Sequence, residues 1–242
     1  MSTLAAFARN DWRNLRRESL LLYLVVLPWL LVLASRAILP VLADWLLARG
    51  VDPVPYYPLL LGFMFILQGP MMFGIVVGLL ILDERDADTL TALRVTPLPL
   101  RAYALYRVGF AFALGTVFAL LAPPLTGLLA RAVWPALLPI GVLAGLLAAA
   151  SALFLAAFAG NKVEGLALMK VAGVFMAGPF LAAFLPPNWQ LVVGALPSTW
   201  PAKAFWLAAA GESWGLSWLV GAVYLPAVLA WLLKRFERQV SR

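Results

Sequence analysis

The polar residues that could do chemistry are concentrated in one short stretch, residues 83–100, of an otherwise apolar chain. Asp86 or Asp88 can cap the start of a helix there. That helix should stop before Pro97, because the residue before a proline, here Thr96, is disfavoured in helical geometry. The pattern predicts a short, rigid helix, with an ordinary solvated loop as the alternative.

Enzymatic chemistry is disfavoured by the residue types that the chain lacks. It contains no cysteine and no histidine, which excludes disulfides, thiolate metal sites, cysteine nucleophiles and imidazole acid–base catalysis. No clustered pair of glutamates falls within one apolar stretch, so a membrane-embedded hydrolase or acyltransferase would lack its usual acid–base groups. The sequence therefore predicts neither a catalytic site nor a metal site.

The composition requires a membrane. Of the 242 residues, 64% are hydrophobic and 12% are charged, and the mean hydropathy is +0.95. Soluble domains are about half apolar and about a quarter charged, and a chain of this length cannot bury so much apolar surface in a soluble fold. We therefore predict an all-α integral membrane protein.

Six stretches with little or no charge are long enough to cross a bilayer as helices, for which about 20 apolar residues are needed. They lie at 20–41, 57–82, 106–128, 136–159, 166–185 and 214–233. The pairs Gly74-x-x-x-Gly78 and Gly141-x-x-x-Gly145 predict close packing between these helices. The chain is thus predicted to be a single transmembrane domain over residues 1–242.

The distribution of lysine and arginine predicts the orientation, since these residues accumulate on the cytoplasmic side. With both termini in the cytoplasm, fourteen basic residues lie on the inner side and four on the outer side. The net charge of +7 is then a topology signal, and no nucleic-acid partner is predicted. We expect a multi-pass protein of the cytoplasmic (inner) membrane, in contact with its lipids. Residues at the start of the third stretch should anchor it at the membrane interface: Arg101, Tyr103, Tyr106 and Arg107.

The first nineteen residues predict an amphipathic helix that lies flat in the inner headgroup layer and leads into the first span as an elbow. Its apolar residues recur at helical spacing: Leu4, Phe7, Ala8, Trp12 and Leu15. A signal peptide is the alternative, but Asp11, Glu18 and the absence of a small-x-small cleavage site disfavour it.

The segment 186–212 is cut by prolines into pieces too short to cross a bilayer. Its tryptophans favour the membrane interface. We predict two short re-entrant half-helices on the outer side, with an ordinary external loop as the alternative. The residues singled out are Pro186, Pro187, Trp189, Pro197 and Trp200.

Gln68-Gly69-Pro70 combines a polar amide with a break that we expect near the middle of the second span. An amide in that place needs a hydrogen-bond partner on another helix or a water-filled cavity. The candidate residues of a substrate pathway are Gln68, Met72, Phe175, Met176 and Phe180.

The polar stretch resembles the loop of type-2 ABC exporter permeases, where a Glu precedes a Gly-Thr-Leu-Glu-x-Leu sequence and a Thr/Ser-Pro-Leu stop. Asp88 and Thr91 stand where that family usually has Gly and Glu. Residues 186–190 and 196–200 are similar to the family's external motif, with Leu196 and Trp200 replacing an Asn and a Tyr. The wording Leu-Arg-Val-Thr-Pro-Leu is most similar to the branch that exports fluoroquinolones or other drugs. The residues that match the loop are Glu84, Thr89, Leu90, Leu93, Thr96, Pro97 and Leu98.

The resemblance implies a permease subunit that moves a hydrophobic or amphipathic cargo, such as a drug or a lipid-like molecule, across the cytoplasmic membrane. The chain has no G-x-x-x-x-G-K-[ST] phosphate loop, so ATP and Mg would be bound by two copies of a separate ABC ATPase subunit, and this chain would bind no cofactor. A second copy of the permease, or a paralogue, would enclose the pathway. The alternative is a non-transporting assembly, immunity or sensor protein with the same fold.

The resemblance also implies roles for residues. A coupling helix at 84–96 would contact the ATPase through Glu84, Asp88, Thr89, Leu90, Leu93, Thr96 and Pro97. An external gate would be formed by Pro186, Pro187, Trp189, Pro197 and Trp200.

Overall fold

The computed structural model describes residues 19–87, 100–182, 184–186 and 192–240. Within these ranges the chain is helical and contains no strand. Six of the described helices are long and apolar enough to cross a membrane. They are span 1 (Ser19–Leu47), span 2 (Val54–Asp86), span 3 (Leu100–Thr126), span 4 (Arg131–Phe158), span 5 (Lys162–Ala182) and span 6 (Gly215–Val240). The prediction of an all-α, multi-pass membrane protein with six spans is confirmed.

Spans 2 and 4 form the centre of the bundle. In their most apolar stretches 89% and 83% of the residues are buried inside the protein, against 20–33% in the other four spans. Glycines allow these helices to approach closely, because a Cβ atom at Gly74 would lie 2.1 Å from the carbonyl oxygen of Ala148, and one at Gly145 would lie 2.0 Å from Oγ1 of Thr116. The predicted close-packing role of the glycine pairs is confirmed.

Span 2 changes its helical form along its length. It begins with a 3₁₀ turn (Val54–Tyr56) and continues as an α-helix (Tyr57–Leu61), a π-helix (Gly62–Gln68) and a second α-helix (Gly69–Asp86). Span 4 likewise starts with a 3₁₀ turn, Arg131–Val133, before its α-helix Trp134–Phe158.

The break predicted at Gln68-Gly69-Pro70 is wrong, because the chain stays helical through it. A proline ring clashes with the carbonyl four residues earlier in an α-helix. The π-helical turn that precedes Pro70 pairs each N–H with the carbonyl five residues earlier instead, as Gly69 does with Met64. The altered hydrogen bonding lets the helix accept the proline without ending.

A short helix, Thr199–Ala209, lies between spans 5 and 6. Its Ala202 and Phe205 are fully buried, packed in clusters that include Leu67 of span 2 and Ala144 of span 4. The helix therefore enters the bundle, as a re-entrant helix would. Residues 187–191 of the predicted re-entrant segment 186–212, and residues 1–18 of the predicted elbow 1–19, lie outside the described residues.

The two ends of the bundle differ in character. The charged end carries Asp83–Asp86, the last turn of span 2, together with the end of span 4 and the start of span 5. The cavity end carries the start of span 2, the end of span 5 and the short helix, which surround a cavity of about 1060 Å³.

Candidate functional site

The last turn of span 2 consists of four consecutive charged residues, Asp83–Asp86. Each of the four side chains has contacts to a neighbouring span. Because residues in one helical turn point in different directions, such a turn can reach several helices at once. It is the candidate functional site, and it overlaps the start of the predicted coupling helix, 84–96.

Glu84 joins span 2 to span 3. Its carboxylate, which is buried, accepts hydrogen bonds from the Tyr103 hydroxyl and from the Arg107 guanidinium. The Nε of Arg107 also donates to the Tyr103 oxygen at 3.2 Å. Tyr103 and Arg107 are four residues apart, so they lie on the same face of span 3. Charge-assisted hydrogen bonds of this kind are about twice as strong as neutral ones.

The expectation that Tyr103 and Arg107 anchor span 3 at the membrane interface is wrong. The exposed fraction is 1% for Tyr103 and 0% for Arg107. An interface anchor needs its polar tip in water, whereas these two tips are turned into the protein towards Glu84. Arg101 of the same helix is exposed, with an ion pair of 3.9 Å to Glu237 of span 6.

Arg85 joins span 2 to the end of span 4. Its Nη1 donates to the carbonyl of Ala159 at 2.7 Å and its Nη2 to the carbonyl of Ala156 at 3.0 Å. The last carbonyls of a helix have no partner within it, and a cation is favourable at this end of the helix dipole. Arg235 of span 6 donates to a third carbonyl, that of Ala157, at 3.3 Å. Arginines from two spans thus cap span 4.

Asp83 and Asp86 join span 2 to the start of span 5. The Nζ of Lys162 lies 2.7 Å from a carboxylate oxygen of Asp83. The backbone N–H of Lys162 donates to Asp86 at 3.0 Å. The first N–H groups of a helix lack partners and carry partial positive charge. The Asp86 carboxylate therefore provides a hydrogen-bond acceptor and a negative charge at the start of span 5. The start of span 5 is also capped locally, since Asn161 accepts from the N–H of Glu164 at 2.9 Å.

The arrangement cross-links spans 2, 3, 4 and 5 at one level of the bundle. It also holds both flanks of the segment 88–99, because Glu84 precedes that segment while Tyr103 and Arg107 follow it. We therefore expect a displacement of the end of span 2 to move the start of span 3 as well, and the reverse. Within the described ranges no group of three or more acidic residues converges as the ligands of a metal ion would.

Of the predicted coupling residues, the structure describes Glu84 alone. The other six lie outside the described residues: Asp88, Thr89, Leu90, Leu93, Thr96 and Pro97.

Three of the predicted pathway residues lie between spans 2 and 5. Met72 and Met176 belong to one apolar cluster, and the ring of Phe180 contacts that of Phe63 at 5.3 Å between centroids. Gln68 is half-buried, with no hydrogen bond from its amide to another described residue. Phe175 belongs to the helix of span 5, but its side chain is outside the described part of the chain.

The structure describes three of the five predicted gate residues, Pro186, Pro197 and Trp200. Pro186 is exposed, and Pro187 and Trp189 lie outside the described residues. Pro197 lines a small apolar cavity of about 280 Å³ together with Met71 and Leu147.

Trp200 holds the turn that precedes the short helix. Its Nε1 donates to the carbonyl of Gly194 at 3.1 Å. The hydroxyl of Thr199 donates to the carbonyl of Val193 at 2.5 Å. The hydroxyl of Tyr224, in span 6, donates to the carbonyl of Ala195 at 2.6 Å.

Comparison with known proteins places the chain in a family. The family model for fluoroquinolones export permease protein Rv2686c-like proteins matches residues 11–233. The chain belongs to this family. It is 39% identical over 236 residues to fluoroquinolones export permease protein Rv2686c of Mycobacterium tuberculosis (strain ATCC 25618 / H37Rv), and equally to protein MT2760 of strain CDC 1551 / Oshkosh, a match that covers 97% of this chain and 94% of each relative. No solved structure matches the chain. The resemblance to drug-export permeases is confirmed.

The sequence of this family member does not by itself reveal most of the residues that build the charged end. From the sequence, Arg85 and Lys162 indicate only cytoplasmic positive charge, and Tyr103 and Arg107 indicate only interface anchors. The spacing of Tyr103 and Arg107 was the available signal, since it places a hydroxyl and a guanidinium on one helical face directly after a segment that begins with Glu84.

Proposed function

We propose that this chain is the permease subunit of an ABC exporter that moves a hydrophobic or amphipathic drug of the fluoroquinolone class across the cytoplasmic membrane. Its two 39% identical relatives are named fluoroquinolones export permease proteins. The chain has no phosphate-binding loop of its own. Two ABC ATPase subunits with ATP and Mg would therefore drive transport, and a second permease chain, identical or paralogous, would complete the pathway.

The observation that carries the proposal is the cross-linked turn Asp83–Asp86. Long-range coupling needs an element with two arrangements that both sites can bias. If an ATPase subunit pushes on the coupling helix at 84–96, the buried hydrogen bonds of Glu84 would pass the displacement to span 3, and the partly buried hydrogen bonds of Arg85 would pass it to span 4. Spans 2, 3, 4 and 5, which are linked by the bonds of the turn Asp83–Asp86, would together form the element that switches between two arrangements.

The same proposal sets the charged end in the cytoplasm and the cavity end outside. Cysteines placed at Thr91 and Ser213 test this orientation, because the chain has no cysteine of its own. Ser213 is exposed in the structure. An impermeant maleimide should label Ser213→Cys from outside intact cells and Thr91→Cys only in inside-out vesicles. Labelling of both from one side would contradict the orientation.

The coupling role is tested by the double variant Leu90→Asp, Leu93→Asp. Losing two buried leucine contacts at an ATPase interface would cost roughly 3–6 kcal/mol before any charge effect, and interfaces depend on a few such residues. We expect the variant to remain in the membrane but to lose its ATPase during purification, and to lose ATP-driven fluoroquinolone uptake into inside-out vesicles.

Thr91→Asp is the matched control, since it adds charge to the same segment and keeps both leucines. It should retain the ATPase and transport. If the double variant transports normally, this segment is not the coupling element. If the wild-type chain neither binds an ABC ATPase nor transports, the non-transporting alternative is favoured.

A further inference from the structure

The cavity at the cavity end is large enough for a drug-sized molecule. Its volume of about 1060 Å³ is at the upper end of the range of ordinary ligand pockets, roughly 300–1,000 Å³. Its walls come from four parts of the chain: the start of span 2 at Pro55, Pro58 and Leu59, the end of span 5 at Pro179, the turn at Gly194, and the short helix.

The short helix presents two different faces. Ala202 and Phe205 are fully buried in the bundle. Thr199, Lys203 and Trp206 recur at intervals of four and three residues and line the cavity, as one stripe of an α-helix does. The packing of the buried residues therefore fixes which stripe of the helix faces the cavity.

Lys203 is the single charged side chain in the described wall of this cavity. Of the other polar side chains in the wall, Thr199 donates to Val193 and the Nε1 of Trp200 donates to Gly194, whereas the buried Nε1 of Trp206 has no hydrogen-bond partner among the described residues. Lys203 is half-buried and forms no ion pair with a described residue. Residues 187–191, which precede Gly194 in the sequence and lie outside the described part of the chain, include no acid. An ammonium group among apolar walls is best satisfied by an anion.

Trp206 supplies a flat aromatic wall beside Lys203. The indole is held from behind by Gly62 of the π-helix, where a Cβ atom would lie 2.3 Å from its Nε1. Since the ring cannot move back, its remaining face forms part of the cavity wall. Aromatic faces favour stacked or edge-to-face contact with other rings.

We propose that this cavity binds a planar aromatic molecule that carries a carboxylate, with the carboxylate on Lys203 and the ring system against Trp206. The inference rests on the proposed function, since fluoroquinolones combine an aromatic ring system with a carboxylate. It adds the residue pair that recognises the two parts of the cargo.

The test compares a fluoroquinolone with its methyl ester, which keeps the rings and loses the negative charge. Binding is measured by ligand fluorescence with the purified permease in nanodiscs of phosphatidylcholine alone, so that no anionic lipid competes. Lys203→Met should weaken binding of the acid about tenfold or more, because a charged hydrogen bond contributes at least that factor. The same variant should change binding of the ester less than about twofold.

Three variants complete the design. Lys203→Arg should keep the preference for the acid. Trp206→Ala should weaken acid and ester by a similar factor, because it removes the aromatic wall that both use. Lys170→Met, which removes an exposed lysine of span 5, should change neither, and it controls for the loss of one positive charge.

Equal binding of the acid by wild-type and Lys203→Met permease overturns the inference, and so does an equal loss of acid and ester. A third outcome also overturns the inference. If the wild type shows no preference for the acid, and anionic lipid co-purifies with it but not with Lys203→Met, then the lysine binds a lipid phosphate instead. ATP-driven uptake judges the proposed function separately. A permease that transports without preferring the acid refutes the cavity role alone, whereas one that prefers the acid without transporting refutes the exporter role alone.

Discussion

The two ends of the bundle use charge in opposite ways. At the charged end, Glu84 and Arg107 are buried and paired with one another. At the cavity end, Lys203 lines a cavity of about 1060 Å³ and forms no ion pair with a described residue. The buried pair fixes the relative positions of spans 2 and 3. The lysine in the cavity keeps its ammonium group available to a molecule that enters the cavity.

Under the proposed function, the charged end would transmit the displacement from the ATPase and the cavity end would bind the cargo. A buried ion pair is strongly destabilising to break, since each charge left alone is poorly solvated. A half-buried lysine in an open cavity keeps part of its hydration and costs much less. The same chemical change should therefore have very different effects at the two ends.

The largest effect is expected from Arg107→Met, which leaves the carboxylate of Glu84 buried without its cation. Removing one partner of a buried pair costs about 3–5 kcal/mol. We expect the free energy of unfolding, measured by SDS titration in mixed micelles, to fall by that amount. The double variant Glu84→Met, Arg107→Met should recover most of the loss. A single variant as stable as the wild type would show that the pair does not lock spans 2 and 3.

The second-largest effect is expected at the close contact between spans 2 and 4 in the middle of the bundle. Gly74→Ala places a Cβ atom 2.1 Å from the backbone oxygen of Ala148, and overpacking of this kind costs about 1–3 kcal/mol. Gly109→Ala is the control, since no other part of the protein beyond its own stretch of helix lies within 4 Å of the added Cβ, and it should cause no loss. The same SDS titration compares them, and equal stabilities would refute the close-packing role.

A smaller effect is expected where the cavity end is held together. Trp200→Phe keeps an aromatic ring but removes the hydrogen bond to Gly194, which contributes about 0.5–1.5 kcal/mol. Hydrogen exchange should quicken locally in residues 193–199, while the charged end stays protected. Uniform loss of protection across the bundle would argue against a local clamp.

The smallest effect should come from Lys203→Met without ligand. Because this lysine forms no ion pair with a described residue, we expect unfolding free energy within about 0.5 kcal/mol of the wild type, as for most substitutions away from paired networks. A loss as large as that of Arg107→Met, measured in the same titration, would remove the contrast between the two ends.

The six spans could be predicted because crossing a bilayer is a property of consecutive residues. Runs of about 20 apolar residues are visible in the sequence without knowledge of which helices touch. The glycine pairs Gly74/Gly78 and Gly141/Gly145 were equally visible, because a four-residue interval places both glycines on one face of the same helix.

The partners of the charged residues could not be predicted in the same way. Glu84 and Arg107 are 23 residues apart, and their pairing depends on how spans 2 and 3 are rotated about their axes. A basic residue near the end of a span suits the interface or the interior equally well until those rotations are known. The cavity around Lys203 could not be predicted from the sequence either, because its walls come from four separate parts of the chain.

The π-helix Gly62–Gln68 has a consequence for how span 2 tolerates changes in length during evolution. One residue added to or lost from an α-helix rotates everything beyond it by about 100°, which would turn Glu84 away from Arg107. A π-helix accommodates an additional residue within a wider turn, so the flanking helices can keep their phase. We expect single-residue insertions and deletions among relatives to fall between Gly62 and Gln68, and to be absent from Gly69–Asp86, where each would shift the ion-paired turn out of register.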